Sequence, residues 1–238
     1  MSNPTLLLHG WGGSARSSFL VHNWGQALEA VKRRVIAPDL PGHGSASTSI
    51  DPADYADLAG QIRATLPPGS LDVIGHSLGA KIALKLASEA PEKFRRVVAI
   101  GVGNNLFARE ASGEAVARAL ETGDLADAPA GVRGLVTYSQ SSGSNPKSLA
   151  AILRRPPNPV ISAQQLRVIG ARTLLINGSA DRIAQPDAHL RAALPGLTYV
   201  LLQGLTHLQL VSAEAVRHIA TRFLDLIDER DSPSAAAH

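Results

Sequence analysis

Short runs of Val, Ile and Leu recur along the chain, and most are followed by a turn-forming residue and then by a helical pattern. Because these runs are continuously apolar and do not alternate with polar residues, they predict strands buried on both faces of a parallel sheet. Strands that alternate with helices predict an α/β fold with a doubly wound, mostly parallel sheet of about six strands. The candidate strands are residues 5–9, 33–38, 71–75, 96–102, 172–177 and 198–203.

In most intervals between these runs, apolar residues recur at the spacing typical of a helix. Near the end of the chain, Val216, Ala220 and Phe223 fall at this spacing and form one apolar stripe, as on a helix that packs against a sheet. The sequence predicts flanking helices at residues 24–31, 52–66, 79–90, 186–194 and 213–229.

One long interval, residues 103–170, interrupts the alternation and contains no convincing strand. Helical patterns occupy 111–123 and 162–170, and loop-like stretches occupy 139–148 and 154–160. A structureless loop of that length is uncommon in a compact domain, so we predict a small helical cap inserted over the sheet. The predicted organisation is an α/β core of 1–102 and 171–230, a cap of 103–170 and a disordered tail of 231–238.

The composition narrows the class of protein. Hydrophobic residues make up 45% and charged residues 18% of the chain, which is typical of a globular domain. A formal charge of +3, scattered arginine pairs and 4% aromatic residues disfavour nucleic-acid binding. The absence of cysteine excludes a thiolate nucleophile and thiolate metal ligands. No signal-like or membrane-spanning segment is recognisable, so we expect a soluble cytoplasmic protein with no membrane partner.

The pentapeptide GHSLG, residues 75–79, places Ser77 between two glycines, directly after a predicted strand and before a predicted helix. A turn this sharp leaves no room for side chains two positions either side of the serine, which explains the glycines. The turn also exposes the hydroxyl above the sheet at a helix amino terminus. Ser77 is therefore the predicted nucleophile.

A serine hydroxyl needs a base to take its proton and an acid to orient that base. Asp181 follows the predicted strand 172–177, and His207 follows the strand 198–203. Because the carboxyl ends of parallel strands share one edge of the sheet, we predict that Asp181 and His207 meet Ser77 there. The chain order Ser, Asp, His is the order used by nucleophile-elbow enzymes.

The stretch HGWGG, residues 9–13, follows the first predicted strand, and its glycines allow backbone N–H groups to approach a ligand closely. Negative charge that develops on a substrate oxygen needs such preorganised donors. We predict that the backbone N–H groups of Trp11 and Leu78 form an oxyanion hole.

Further substrate contacts are predicted at the loop after the first strand and in the insertion. The candidates are Gly10, Asn104, Asn105, Phe107 and Tyr138. The asparagines can equally form a turn, and the two aromatic residues can equally belong to the insertion's own core.

Five stretches in order, LLLHGWGGS, RRVIAPDLPGHGSA, VIGHSLGAKIAL, NGSADRIAQP and GLTHLQL, resemble the α/β-hydrolase superfamily, in its small single-domain serine esterase branch. HGWGG is similar to the opening motif of carrier-protein methyl ester esterases, and PDLPGHGSA to that of enol-lactonases. The resemblance spans about residues 5–227 and implies a Ser-His-Asp triad, acyl-enzyme chemistry, no cofactor and no metal.

Ser77 in the elbow disfavours reactions that need a carboxylate nucleophile, such as haloalkane or epoxide hydrolysis. The expected function is hydrolysis of a small carboxylic ester, thioester or lactone, with an acyl substrate that is free or attached to a carrier. One alternative is cleavage of a C–C bond, or a proton-abstracting lyase reaction, by the same triad. A second alternative, of another class, is a ligand-sensing or partner-binding protein whose triad is slow or vestigial.

Overall fold

A computed structural model of the chain describes residues 3–108, 112–156 and 161–226. Its centre is one six-stranded sheet, in the order β2-β1-β3-β4-β5-β6, in which every neighbouring pair is parallel. The predicted α/β sheet is confirmed, and the predicted tail at 231–238 lies outside the described residues. The strands are β1 Thr5–Leu8, β2 Val35–Ile36, β3 Leu71–His76, β4 Phe94–Ile100, β5 Thr173–Gly178 and β6 Thr198–Leu202.

The central strands are buried on both faces because successive side chains alternate between two apolar clusters. In β1, Leu6 and Leu8 belong to one cluster and Leu7 belongs to the other. The edge strands β2 and β6 are only partly buried, as expected where a sheet has a neighbour on one side only.

Helices cover both faces of the sheet. The helices are α1 Ala15–Ser18, α2 Trp24–Ala30, α3 Leu58–Arg63, α4 Leu78–Glu89, α5 Gly113–Thr122, α6 Ala130–Gln140, α7 Pro146–Arg154, α8 Ala163–Leu166, α9 Ala188–Ala193, α10 His207–Ser212 and α11 Glu214–Leu224. Residues of α3, α4, α8 and α9 join the cluster that contains Leu6, whereas residues of α2, α10 and α11 join the cluster that contains Leu7.

The predicted helix 52–66 is divided in the structure. A 3-10 turn at Pro52–Tyr55 precedes α3, and Asp57 separates them with a non-helical backbone. The side chain of Asp57 accepts a hydrogen bond from the backbone N–H of Gly60 at 2.8 Å. An aspartate that caps a helix from this position competes with helix continuation, so α3 begins after it.

The insertion is helical, as predicted, but two of its helices lie where the sequence predicted none or predicted a loop. Helix α6 contains Gly131 and Gly134, which weaken the helical signal, and it is stabilised by burial of Val132 and Val136. Helix α7 begins at Pro146, after Asn145 accepts a hydrogen bond from the backbone N–H of Lys147. The Asn-Pro pair is therefore a helix start and not a loop.

We call helices α5, α6 and α7 the cap. A small apolar cluster has its buried members on α5 and α6 and is contacted by Leu153 of α7, whereas Leu149, Ala151 and Ile152 of α7 belong to the main core. Helix α8 belongs to the same insertion, but its Leu166 packs in the main core, as does the nearby Ile169. Residues 161–170 thus pack with the sheet and its helices. The members of the cap cluster all precede residue 161.

The order of the strands reverses at β1, because β2 lies on one side of it and β3 on the other. Loops that leave neighbouring strands on opposite sides of such a point open a crevice at the carboxyl edge of the sheet, where ligands bind in α/β proteins. The loop after β1 and the turn after β3 both emerge at this crevice. Within residues 3–108, 112–156 and 161–226, no helix has the length and apolar character needed to cross a membrane.

Candidate active site

Ser77 occupies the tight turn between β3 and α4, with φ of 54° and ψ of −114°. This left-handed conformation costs free energy for a residue with a side chain and is characteristic of strained functional turns. A Cβ atom on Gly75 would lie 2.3 Å from the Gly79 carbonyl oxygen, and one on Gly79 would lie 2.0 Å from the Leu8 carbonyl oxygen. The two glycines are therefore required by close backbone contacts.

Ser77, His207 and Asp181 form a continuous chain of hydrogen bonds. Nε2 of His207 lies 2.9 Å from Oγ of Ser77, and Nδ1 of His207 lies 2.8 Å from Oδ2 of Asp181. An ionised carboxylate only accepts, so Nδ1–H of His207 donates to Asp181 and Nε2 is left to accept the Ser77 proton. The structure thus brings the three predicted residues together with the tautomer that a general base requires.

Asp181 and His207 are held by the ends of β5 and β6. Oδ1 of Asp181 accepts hydrogen bonds from the backbone N–H groups of Ile183 and Ala184, each at 2.9 Å. Burial alone raises the pKa of Asp181, but the hydrogen bond from His207 and these backbone donors outweigh it and hold the pKa below its ordinary value. Asp181 therefore stays ionised beside His207, which is the first residue of α10.

His76, next to the nucleophile, is fully buried and touches His207. Its Nε2 donates to the His207 carbonyl oxygen at 3.1 Å, and the two rings lie 5.0 Å apart between centroids. Burial lowers the pKa of His76 to about 3, so the ring is neutral. The contact of His76 with the His207 backbone could not be read from the sequence, because it joins residues 131 positions apart.

The loop after β1 lies directly against Ser77. A Cβ on Gly10 would lie 3.0 Å from Nδ1 of His76 and 3.2 Å from Cβ of Ser77. This approach brings the backbone of Trp11 towards the amino terminus of α4, where Leu78 is the first helical residue. The N–H groups of a first helical turn lack partners within the helix, which suits them to binding an anion.

The cap packs onto the same loop. The indole Nε1 of Trp11 donates to the Leu149 carbonyl oxygen of α7 at 3.1 Å. A Cβ on Gly12 would lie 3.0 Å from Cβ of Ser139, and one on Gly13 would lie 2.7 Å from the Tyr138 hydroxyl. The backbone of residues 10–13 is therefore wedged between the nucleophile turn and helices α6 and α7.

A cleft of about 750 Å³, counted with its open mouth, lies between the cap and the carboxyl edge of the sheet. Ser77 and His207 form part of its wall, together with the predicted residues Trp11, Leu78 and Tyr138. The remaining wall residues come from two parts of the chain. The core contributes His76, Lys81, Ile183 and Leu208, and the insertion contributes Ser112, Gly113, Val116, Leu135, Leu153 and Arg155.

Four candidate substrate residues, Gly10, Asn104, Asn105 and Phe107, do not line this cleft. Oδ1 of Asn104 accepts from the backbone N–H groups of His189 and Leu190, and Oδ1 of Asn105 accepts from that of Gly103. The ring of Phe107 stacks on His189 at 4.4 Å between centroids. The two asparagines serve the turn after β4 and the start of α9, and the contacts of Asn104, Asn105 and Phe107 described here are structural.

No group of three or more His, Asp or Glu residues in the described ranges is arranged to hold a metal ion.

The sequence profile of the family described as alpha/beta hydrolase fold matches residues 3–142. This match extends over more than half of the chain, and the chain belongs to this family. The resemblance read from the five sequence stretches is thereby confirmed.

The known proteins that are similar to the chain include an acetyltransferase component and an esterase. The dihydrolipoyllysine-residue acetyltransferase component of the acetoin cleaving system of Cupriavidus necator is 28% identical in an alignment 232 residues long, which covers 87% of this chain and 59% of that protein. The pimeloyl-[acyl-carrier protein] methyl ester esterase of Nitrosomonas europaea is 31% identical in an alignment 99 residues long, which covers 40% of this chain and 35% of that protein. The alignments thus reach less than two thirds of either relative's length.

Among solved structures, a carboxylesterase of the thaumarchaeon Nitrososphaera gargenis superposes with a TM-score of 0.72 at 22% identity. The superposition covers 94% of this chain and 90% of that one. At this identity the likeness establishes the shared fold.

Proposed function

We propose that the protein is a serine hydrolase that cleaves a small carboxylic ester, thioester or lactone through an acyl-enzyme on Ser77. The observation that carries this proposal is the hydrogen-bonded chain from Ser77 through His207 to Asp181, whose serine end faces the cleft. Nucleophile, base and orienting acid are all within hydrogen-bond reach, which is the geometric requirement for nucleophilic catalysis by serine.

The first half of the proposed cycle forms the acyl-enzyme. Oγ of Ser77 attacks the carbonyl carbon while Nε2 of His207 takes the hydroxyl proton, and the carbonyl oxygen becomes an oxyanion. The C–O bond to the alcohol then breaks, and His207 returns the proton to the leaving oxygen. Asp181 remains ionised and stabilises the imidazolium that exists between these two transfers.

The second half releases the acid. A water molecule attacks the acyl carbon while His207 takes one of its protons, and the bond to Oγ of Ser77 breaks as His207 gives that proton back to the serine. We assign the oxyanion donors to the backbone N–H groups of Trp11 and Leu78. Gly10 serves this arrangement through the close approach of its backbone to Ser77.

The relatives support acyl chemistry. One is named an acetyltransferase component and the other a methyl ester esterase. The apolar cleft residues Val116, Leu135 and Leu153 suit the acyl part of a small substrate, whether free or attached to a carrier. Tyr138, which lines the cleft and touches the loop after β1, is the aromatic residue that we assign to substrate contact.

A panel of p-nitrophenyl esters, thioesters and lactones tests the proposal on purified protein. We expect turnover of at least one ester, which disappears in Ser77→Ala. The matched control is Ser112→Ala, because Ser112 also lines the cleft but is not the serine that bonds His207. Absence of turnover on the whole panel would overturn the ester hydrolase assignment. Cleavage of C–C substrates assayed beside the panel would then favour the lyase or C–C hydrolase alternative, and no turnover of these either would favour a ligand-sensing protein of this fold.

A further inference from the structure

Two cationic side chains line the cleft that contains Ser77. Lys81 and Arg155 are 3% and 4% exposed, so both are buried in a wall made largely of apolar residues. In the described part of the chain, no aspartate or glutamate lines this cleft. The wall therefore combines apolar surface with two positive charges.

The two cations come from different parts of the fold. Lys81 lies on α4 one turn after the nucleophile, and its backbone N–H donates to the Ser77 carbonyl oxygen at 3.1 Å. Arg155 follows the last residue of the cap helix α7, and its Nη1 donates to the Ile152 carbonyl oxygen. One cation is thus carried by the helix that follows Ser77, and the other by the residue that follows the cap helix α7.

Burial of a cation costs free energy unless an anion or hydrogen-bond acceptors compensate for the lost water. Each of these two side chains also interacts within the protein, so a bound anion would add to an existing set of partners. Because the surrounding wall is apolar, the attraction between these charges and an anion is stronger than it would be in water. A purely hydrocarbon substrate makes no use of either charge.

We propose that the cleft selects esters that carry a carboxylate, which Lys81 and Arg155 bind while Ser77 attacks the ester carbonyl. This inference rests on the proposed ester hydrolysis and specifies its substrate class. The carboxylate can belong to the acyl part or to the alcohol part of the ester, and two substrate pairs distinguish these sources.

The acyl pair is mono-p-nitrophenyl adipate and its terminal amide, and the alcohol pair is para-carboxyphenyl butyrate and para-carbamoylphenyl butyrate. Within each pair the amide matches the carboxylate in shape and lacks its charge. In one of the two pairs, we expect kcat/KM to be at least about 10-fold higher for the carboxylate than for the amide. A factor of this size is what a hydrogen bond to a charged group contributes. Spontaneous hydrolysis is measured and subtracted for every substrate.

The substitutions Lys81→Met and Arg155→Met should each bring this carboxylate-to-amide ratio towards one. The control is Lys85→Met, one turn further along α4, because Lys85 pairs with Glu89 at 2.7 Å and is not part of the cleft wall. Lys85→Met should keep the wild-type ratio. A ratio that survives both cleft substitutions would overturn the assignment to Lys81 and Arg155.

The wild-type protein provides a test that does not depend on the folding of any variant. Adipate should inhibit hydrolysis of a neutral ester at a concentration at least about 10-fold lower than adipamide does. This inference would be overturned if the carboxylate and the amide reacted at equal rates in both pairs, or if adipate and adipamide inhibited equally. Ester hydrolysis itself would still be established by either result. Failure of the proposed function is distinct, since no ester of either charge would then be cleaved.

Discussion

The indole Nε1 of Trp11 donates a hydrogen bond to the Leu149 carbonyl oxygen at 3.1 Å, and this bond joins the loop after β1 to the cap helix α7. The side chain of Trp11 also packs against both the main core and the cap cluster. The residue whose backbone N–H we assign to the oxyanion hole is therefore positioned by the cap through its own side chain.

The substitution Trp11→Phe tests this positioning role. It keeps an aromatic ring and the backbone N–H but removes the bond to Leu149, and we expect kcat to fall about 10-fold with a smaller change in KM. Steady-state kinetics on the best ester of the panel measures both constants. The control is Trp24→Phe, which removes a comparable bond to the Val211 carbonyl oxygen at 2.8 Å, away from the cleft. An equal loss of kcat in both variants would contradict a specific role for Trp11.

Asp181→Asn should lower turnover by about 10⁴-fold, because an amide no longer holds His207 in the tautomer that accepts the serine proton. The matched variant is Asp187→Asn. Asp187 is also a buried carboxylate with a lowered pKa, but it accepts from Asn177 and Tyr199 and makes no bond to His207. Near-normal turnover by Asp181→Asn, with circular dichroism unchanged, would assign the orienting role to a different carboxylate.

Three buried histidines predict that the protein loses stability in mildly acidic solution. Burial lowers the pKa of His9 to about 4 and the pKa values of His43 and His76 to about 3. The unfolded chain binds protons near the ordinary pKa of 6.5, whereas the folded chain does not, so the free energy of unfolding falls as the pH drops from about 6.5 towards 4. Each histidine contributes about 2 kcal/mol of this loss between pH 6.5 and 5.

Urea unfolding at pH values of about 7.5, 6.5, 5.5 and 5.0 measures the slope of the free energy of unfolding against pH. His43→Gln should make the slope shallower because one titrating group is removed. His218→Gln, at an exposed position on α11, should leave the slope as it is. A free energy of unfolding that stays constant or rises from pH 6.5 to 5 would contradict the account of the buried histidines.

The sheet and the nucleophile turn were predictable because their physical requirements are local in sequence. A strand buried on two faces must be continuously apolar, and a turn as sharp as that at Ser77 must have glycines at Gly75 and Gly79. Asp181 and His207 were predictable for a related reason, since each follows a strand and parallel strands end at one edge.

The cap and the cleft wall were less predictable because they depend on contacts between distant parts of the chain. Helix α6 carries two glycines, and its burial against α5 outweighs their weak helical propensity. Asn104 has the same chemistry whether it faces a substrate or accepts hydrogen bonds at the start of α9, and only the fold shows that it does the latter. Lys81 looks like any lysine on a helix, and only the fold shows that it is buried and lines the same cleft as residues of the cap.

The covalent labelling of Ser77 is the most direct test of the central claim that this serine is an activated nucleophile. The protein is treated with a fluorophosphonate, digested, and the modified peptide is identified by mass spectrometry. We predict one adduct per chain, on Ser77, that is absent from Ser77→Ala and present in Ser112→Ala. No adduct on a folded wild-type protein, or an adduct on another residue that persists in Ser77→Ala, would contradict the account.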